Sequence, residues 1–89
     1  KNNILRVVVK GKKGDIHKIL RETELVKRFQ LLGEVEPGVY EFQVVTESGT
    51  DVRDELFLLF AHNQMIVYSI NTEQLSLEEV FRKVTNKEE

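Results

Sequence analysis

The sequence predicts a small α/β (α+β) sandwich, and three observations lead to this fold class. Four stretches rich in β-branched or alternating apolar residues are typical of strands, and two stretches with helical periodicity separate them. A Glu36-Pro37-Gly38 turn joins the second and third strands into a hairpin. The resulting order, β-α-β-β-α-β, is typical of a ferredoxin-like sandwich. A further helical pattern near the end of the chain adds a C-terminal helix.

The first half of the chain supplies a strand, a helix and a second strand. Residues 4–9 form a β-branched run that predicts the first strand, and Gly11-Lys-Lys-Gly14 ends it. Asp15 is the expected N-cap of the first helix, which runs to about Thr23. Residues 26–35 predict the second strand. The apolar face of the helix consists of Ile16, Ile19 and Leu20.

The second half supplies a strand, a helix and a fourth strand. Residues 39–46 alternate between apolar and polar side chains, which predicts the third strand. Thr50 or Asp51 is the expected cap of the second helix, which ends near Asn63. Residues 65–71 predict the fourth strand. The apolar stripe of the second helix consists of Val52, Leu56, Leu59 and Phe60.

Residues 75–86 predict the C-terminal helix. Ser76 stands three residues before Glu79, so the two can form a capping box at the helix start. Apolar residues then recur on one helical face. Because so short a helix is marginal alone in water, this face is expected to dock on the rest of the domain. The apolar face consists of Leu77, Val80, Phe81 and Val84.

The composition is that of one small globular domain, residues 1–89. A net charge of −2 argues against nucleic acid as a partner, since phosphate binding needs a concentrated basic surface. The chain has no cysteine, which excludes disulfides and thiolate metal ligands. It has no apolar run long enough to span a bilayer, so no direct membrane insertion is expected. Because the sequence begins at Lys1 without a methionine, we expect it to be a fragment of a longer protein.

The sequence contains no recognisable catalytic or nucleotide-binding motif. Its Gly-Lys pair, Gly11-Lys12, is preceded five residues earlier by Arg6 instead of the glycine that a P-loop requires. His17 and His62 lie on separate predicted helices, and no third metal ligand is suggested by spacing. We therefore expect this chain not to be an enzyme, with no catalytic, cofactor-binding or metal-binding residues of its own.

Three stretches resemble a known family. The C-terminal segment Ser76-Leu-Glu-Glu-Val-Phe, followed by Val84-Thr85, resembles the end of an accessory domain found in ATP-binding subunits of ABC transporters. The stretches Glu36-Pro-Gly-Val-Tyr-Glu-Phe and Asp51-Val-Arg-Asp-Glu-Leu-Phe fit the same family. The resemblance implies a cytoplasmic domain that follows the ATPase core and lies beneath a membrane permease. ATP and Mg would then belong to the core of the parent protein.

The same resemblance implies three partners: the ATPase core of the same chain, a second ATP-binding subunit and the permease. Contact with them is expected through apolar residues that the core does not require. Phe57 and Leu58 lie outside the apolar stripe of the second helix. The sheet face opposite the helices would add Ile4, Val8, Val39 and Val45, unless the C-terminal helix covers that face. These six residues form the predicted interface.

A second interpretation stays open. The β-α-β-β-α-β order is similar to that of ACT domains, which sense small molecules. In that class a glycine-ended loop after the first strand, here Gly11 to Gly14, helps to bind an amino acid at a dimer interface. The C-terminal helix and the Ser76-Leu-Glu-Glu-Val-Phe segment count against this interpretation.

Overall fold

The structure is a computed structural model that describes residues 2–73. The predicted C-terminal helix, with Ser76, Leu77, Glu79, Val80, Phe81 and Val84, lies outside the described residues. Within them the predicted element order is confirmed. The elements are β1 (Asn2–Lys10), α1 (Lys13–Glu22), β2 (Arg28–Glu36), β3 (Val39–Glu47), α2 (Arg53–His62) and β4 (Ile66–Thr72).

The four strands form one antiparallel sheet in the order β2-β3-β1-β4. β1 and β3 are the central pair, and their register runs from Asn2 opposite Glu47 to Lys10 opposite Val39. β4 and β2 are the two edges among the described strands. The mixed α+β class is therefore confirmed, and this arrangement is compatible with a ferredoxin-like sandwich.

Both helices contribute side chains to a core on one face of the sheet. In β1 the residues Leu5, Val7 and Val9 are buried, whereas the residues between them are partly exposed. This alternation places one side of the strand against the helices and the other on the face opposite the described helices, which is called the open face below. The helices complete the core with the predicted stripe residues Ile16, Leu20, Leu56 and Phe60.

The two helix starts differ from the prediction. α1 begins at Lys13, with Lys12 at the N-cap and no side-chain cap hydrogen bond. The prediction that Asp15 caps this helix is wrong, because Asp15 lies inside the first turn, where its charge suits the helix dipole. α2 begins at Arg53, with Val52 at the N-cap instead of the predicted Thr50 or Asp51. The Arg53 backbone N–H donates to Asp51 Oδ1 over 3.1 Å. Asp51 therefore supports this start from two residues upstream.

The hairpin turn has the geometry that its sequence predicts. Pro37 presets φ at the first turn position, and Gly38 has a φ of 79° at the second, where a side chain would be strained. The Gly38 N–H donates to Glu34 Oε2 over 3.0 Å. Its carbonyl accepts from the Gly11 N–H, also over 3.0 Å, which joins the turn to the end of β1.

Candidate docking surface

Phe57 and Leu58 are exposed on α2, at 49% and 53% of their surface. Both lie outside the buried stripe of this helix, in which Leu56 and Phe60 are fully covered. The two side chains are therefore free to contact another surface. Large apolar side chains exposed next to one another are a common feature of protein interfaces.

The other four predicted interface residues lie on the open face of the sheet, and two of them are buried. Ile4 and Val8 are partly exposed in β1. Val39 and Val45 in β3 are only 1% and 7% exposed. Residues so completely covered offer almost no contact area, so of these four only Ile4 and Val8 add accessible apolar surface.

A polar cluster interrupts the open face between Ile4 and Val8. Arg6 lies between them and forms ion pairs with Glu41 over 3.1 Å and with Glu73 over 2.9 Å. The hydrogen bonds that Arg6 donates to Glu73 and then to Glu41 raise the pKa of Arg6. Gln43 Nε2 donates to Glu73 Oε1 over 3.3 Å. This face is consequently polar at its centre and is not one continuous apolar patch.

Sequence reasoning missed the apolar surface at the outer edge of β4. Tyr68 is 49% exposed, and Ile66 at the start of the same strand is also exposed. Tyr68 and Phe57 line one groove of about 500 Å³ between α2 and β4. The groove is completed by Arg53, Asp54, Val67, Ser69 and Ile70. It joins the predicted interface residue Phe57 to the edge of the sheet.

One signal for this surface was present in the sequence. The stretch Ile66–Thr72 contains no charged residue, although charged residues make up 31% of the chain. Uncharged strands are common at the centre of a sheet but unusual at its edge, where charged residues commonly prevent pairing with another strand. Only the strand order places β4 at the edge, so the signal could not be interpreted from the sequence alone.

A second groove lies between α1 and β2 and bears on the ligand-sensing interpretation. It has a volume of about 510 Å³ and is lined by Lys13, Gly14, His17, Arg21, Leu31 and Phe42. Arg21 Nη1 lies 3.1 Å from His17 Nδ1. The groove therefore combines basic side chains with an apolar floor.

The described residues do not bring metal ligands together. No group of three or more His, Asp or Glu side chains in residues 2–73 could hold a metal ion. His17 packs edge-on against Phe29, with ring centroids 4.9 Å apart, and His62 lies at the end of α2. In the same range, no helix has the length and apolarity needed to cross a membrane.

Comparison with known proteins adds no family assignment. No protein-family model matches the chain, and no curated protein is significantly similar to it.

Proposed function

We propose that this chain is a non-catalytic accessory domain of an ABC transporter ATP-binding subunit, and that it acts by apolar docking. The proposal includes a ferredoxin-like βαββαβ sandwich completed by a C-terminal helix over residues 75–86. The observation that carries the docking role is the exposure of Phe57 and Leu58 on an otherwise well-packed helix. The family part of the proposal depends on the Ser76-Leu-Glu-Glu-Val-Phe segment.

Docking through α2 follows from the hydrophobic effect. About half of each exposed side chain can still be removed from water, which corresponds to about 100 Å² for an aromatic ring such as Phe57. The partner in this proposal is the ATPase core of the same chain, its dimer mate or the permease. In this proposal the ATPase core binds ATP and Mg in the cytoplasm. The accessory domain stabilises the arrangement of the subunits or transmits changes in that arrangement.

The test uses the full-length protein that contains this chain. Phe57→Glu and Leu58→Glu place a charge on the docking surface, and we expect each to weaken docking by about tenfold and to alter ATP turnover and transport. Leu32→Glu is the matched control, because Leu32 is a similarly exposed apolar residue on β2, away from α2. Unchanged turnover and transport in both α2 variants, with the fold intact, would refute the docking role.

The parent protein provides a separate test of the family assignment. The coding region upstream of Lys1 should encode a P-loop and the remaining ATPase motifs within a few hundred residues. If that region encodes an enzyme or a DNA-binding domain instead, the transporter assignment fails, and the ligand-sensing interpretation is favoured.

The groove between α1 and β2 supports this second candidate function, an ACT-like ligand-sensing domain. Its lining contains Lys13, His17 and Arg21 at i, i+4 and i+8 of α1, and it contains no carboxylate. Such a lining fits a small molecule that carries a carboxylate and an apolar portion. Gly14, which the sequence placed in the glycine-ended loop, lies in the first turn of α1 and lines the same groove.

Thermal-shift measurements with free amino acids test the second candidate. A ligand at a hundredfold excess over its Kd stabilises the folded state by about 2.7 kcal/mol, which is a readily measured rise in Tm. Arg21→Gln should abolish the rise, whereas Arg28→Gln on β2, outside this groove, should leave it intact. No rise with any amino acid would eliminate this candidate.

A further inference from the structure

The outer edge of β4 is open within the part of the chain that the structure describes. β4 pairs with β1 on one side, and no described strand pairs with it on the other. An open edge presents unpaired backbone N–H and C=O groups, which another strand can bind. Natural proteins commonly protect such edges with charged residues, prolines or bulges.

The hydrogen bonds of β4 identify which backbone groups point outward. The Glu73 N–H donates to the Ile4 carbonyl over 2.7 Å, so Glu73 directs its backbone groups toward β1. In an antiparallel ladder this direction alternates along the strand. The register pairs Asn71 with Arg6, hence Asn71 also points toward β1. The backbone groups of Ile70 and Thr72 are therefore directed away from β1, toward the open edge.

The two edges of the sheet differ in how well they are protected. The opposite edge strand, β2, carries Arg28, Glu34 and Glu36, and its register with β3 shifts at two places. Charges and bulges of this kind disfavour pairing with a further strand. β4 has one register shift, against β1, and no charged side chain. Of the two edges, β4 is the one that can accept a strand.

We propose that the β4 edge pairs with the β4 edge of a second copy of this chain, which gives an antiparallel two-fold dimer with a continuous sheet. An antiparallel strand pair is self-complementary, because each copy offers the same donors and acceptors in the opposite direction. The outward groups of Ile70 and Thr72 then bond to their equivalents. This inference concerns the chain alone and does not require the proposed transporter function.

Charge favours a second copy as the occupant of the edge. β4 contributes no charge to the contact. The adjoining groove carries one cation, Arg53, and one anion, Asp54, at the start of α2. The surfaces of two copies that meet across a two-fold axis are therefore neutral overall. Electrostatic repulsion between these surfaces is avoided, although each chain carries a net charge of −2.

The available area predicts a weak dimer. Phe57, Tyr68 and Ile66 are each about half exposed, and together they can bury about 300 Å² per copy in addition to the strand backbone. This is well below the roughly 800 Å² per partner of a standard interface. We accordingly expect reversible, concentration-dependent association of the 89-residue chain rather than a permanent dimer.

Sedimentation equilibrium and amide exchange test the proposal together. The 89-residue chain of 10.4 kDa should approach twice that mass as its concentration rises from about 10 µM to 1 mM, the regime of small interfaces. Over the same range the amides of Ile70 and Thr72 should gain protection. The amides of Ser69 and Asn71 serve as the internal control, because their backbone groups already face β1.

Two lysine variants separate the two edges. Tyr68→Lys puts a charge on the β4 edge and should weaken self-association by about tenfold or more. Val35→Lys is the control, because Val35 is 53% exposed on the opposite edge strand, and it should associate like the parent chain. Circular dichroism should show that both variants stay folded.

Three results would overturn the proposal. A mass that stays at 10.4 kDa up to about 1 mM excludes the dimer at the affinity that this area predicts. Association without protection of Ile70 and Thr72, or equal weakening by both lysine variants, places the contact elsewhere. None of these results bears on the Phe57→Glu and Leu58→Glu test, which is made in the full-length protein.

Discussion

Arg6 Nη2 lies 2.9 Å from Glu73 Oε2, and this contact joins the central strand β1 to the first residue after β4. Arg6 Nε also donates to Glu73 Oε1 over 3.3 Å, so the pair is bidentate. Arg6 Nη1 reaches Glu41 in β3 on the other side. One guanidinium thus connects three neighbouring segments of the open face.

We expect Arg6→Met to lower the Tm by roughly 2–5 °C, because it removes both partly exposed ion pairs while the apolar stem of the side chain is kept. The effect should shrink at high salt, which screens exposed charges. Thermal unfolding of Arg6→Met, Glu73→Gln and the double variant forms a double-mutant cycle. Additive effects in this cycle would show that Arg6 and Glu73 do not interact energetically.

Two leucines on α2 should respond very differently to truncation. Leu56 is fully buried, so Leu56→Ala should reduce the free energy of unfolding by about 2–5 kcal/mol through lost burial and a cavity. Leu58 is exposed, and Leu58→Ala should change it by no more than about 0.5 kcal/mol. Urea unfolding of both variants measures the difference. Similar losses at the two positions would contradict the assigned orientation of the helix.

Substitution by alanine should have opposite effects on stability at Gly38 and Gly14. Gly38 has a φ of 79°, so Gly38→Ala should destabilise the hairpin turn by about 1–2 kcal/mol. Gly14 lies in α1, and a Cβ added there would meet nothing within 4 Å. Gly14→Ala should therefore stabilise the domain by about 0.4–1 kcal/mol, since alanine reduces the entropy of the unfolded chain. Denaturant unfolding should give changes of opposite sign, and equal signs would contradict the backbone conformation assigned to one of the two glycines.

Asp51 should titrate well below the ordinary range for an aspartate. Hydrogen bonds from the Arg53 side chain and then from its backbone N–H lower the pKa of Asp51 from 3.8 to about 2. Because the pKa of Asp51 is lower in the folded state, the ionised carboxylate stabilises the fold. This stabilisation is present above about pH 3.8 and is lost as the pH falls through about 2.

A carbon-13 NMR titration of the Asp51 carboxyl measures this pKa directly. Arg53→Gln should raise the midpoint toward 3.8, although the backbone N–H of residue 53 keeps part of the shift. A midpoint near 3.8 for Asp51 in the parent chain would show that the contact with Arg53 does not persist in solution.

The helices show which structural features local sequence patterns can predict. Both predicted helix stripes face the core, because a helical period of 3.6 residues fixes which side chains share a face. Most of their residues are buried, and Ile19 and Leu59 are partly buried. The start of α1 is misplaced when Asp15 is assigned as its cap. Aspartate is favoured both at the N-cap and in the first turn, so residue type alone does not distinguish the two positions.

The exposure of the predicted interface residues was harder to predict from the sequence than the buried faces of the helices. Phe57 and Leu58 could be selected because they fall outside an apolar stripe. The burial of Val39 and Val45 could not be foreseen, because alternation along a strand reports the face and not what covers it. Their role as interface residues, like that of Ile4 and Val8, stays a prediction.

Local sequence was enough to establish the element order, the helix stripes and the Pro37-Gly38 turn, since these depend on residues close together in the chain. The strand order, and with it the placement of uncharged β4 at an edge, emerged only from the folded chain. Folding also brought Arg6 to Glu73, which lies 67 residues further along the chain. The sequence separation of two paired strands follows no periodic pattern, so only the assembled sheet shows which charges meet and which described strands form its edges.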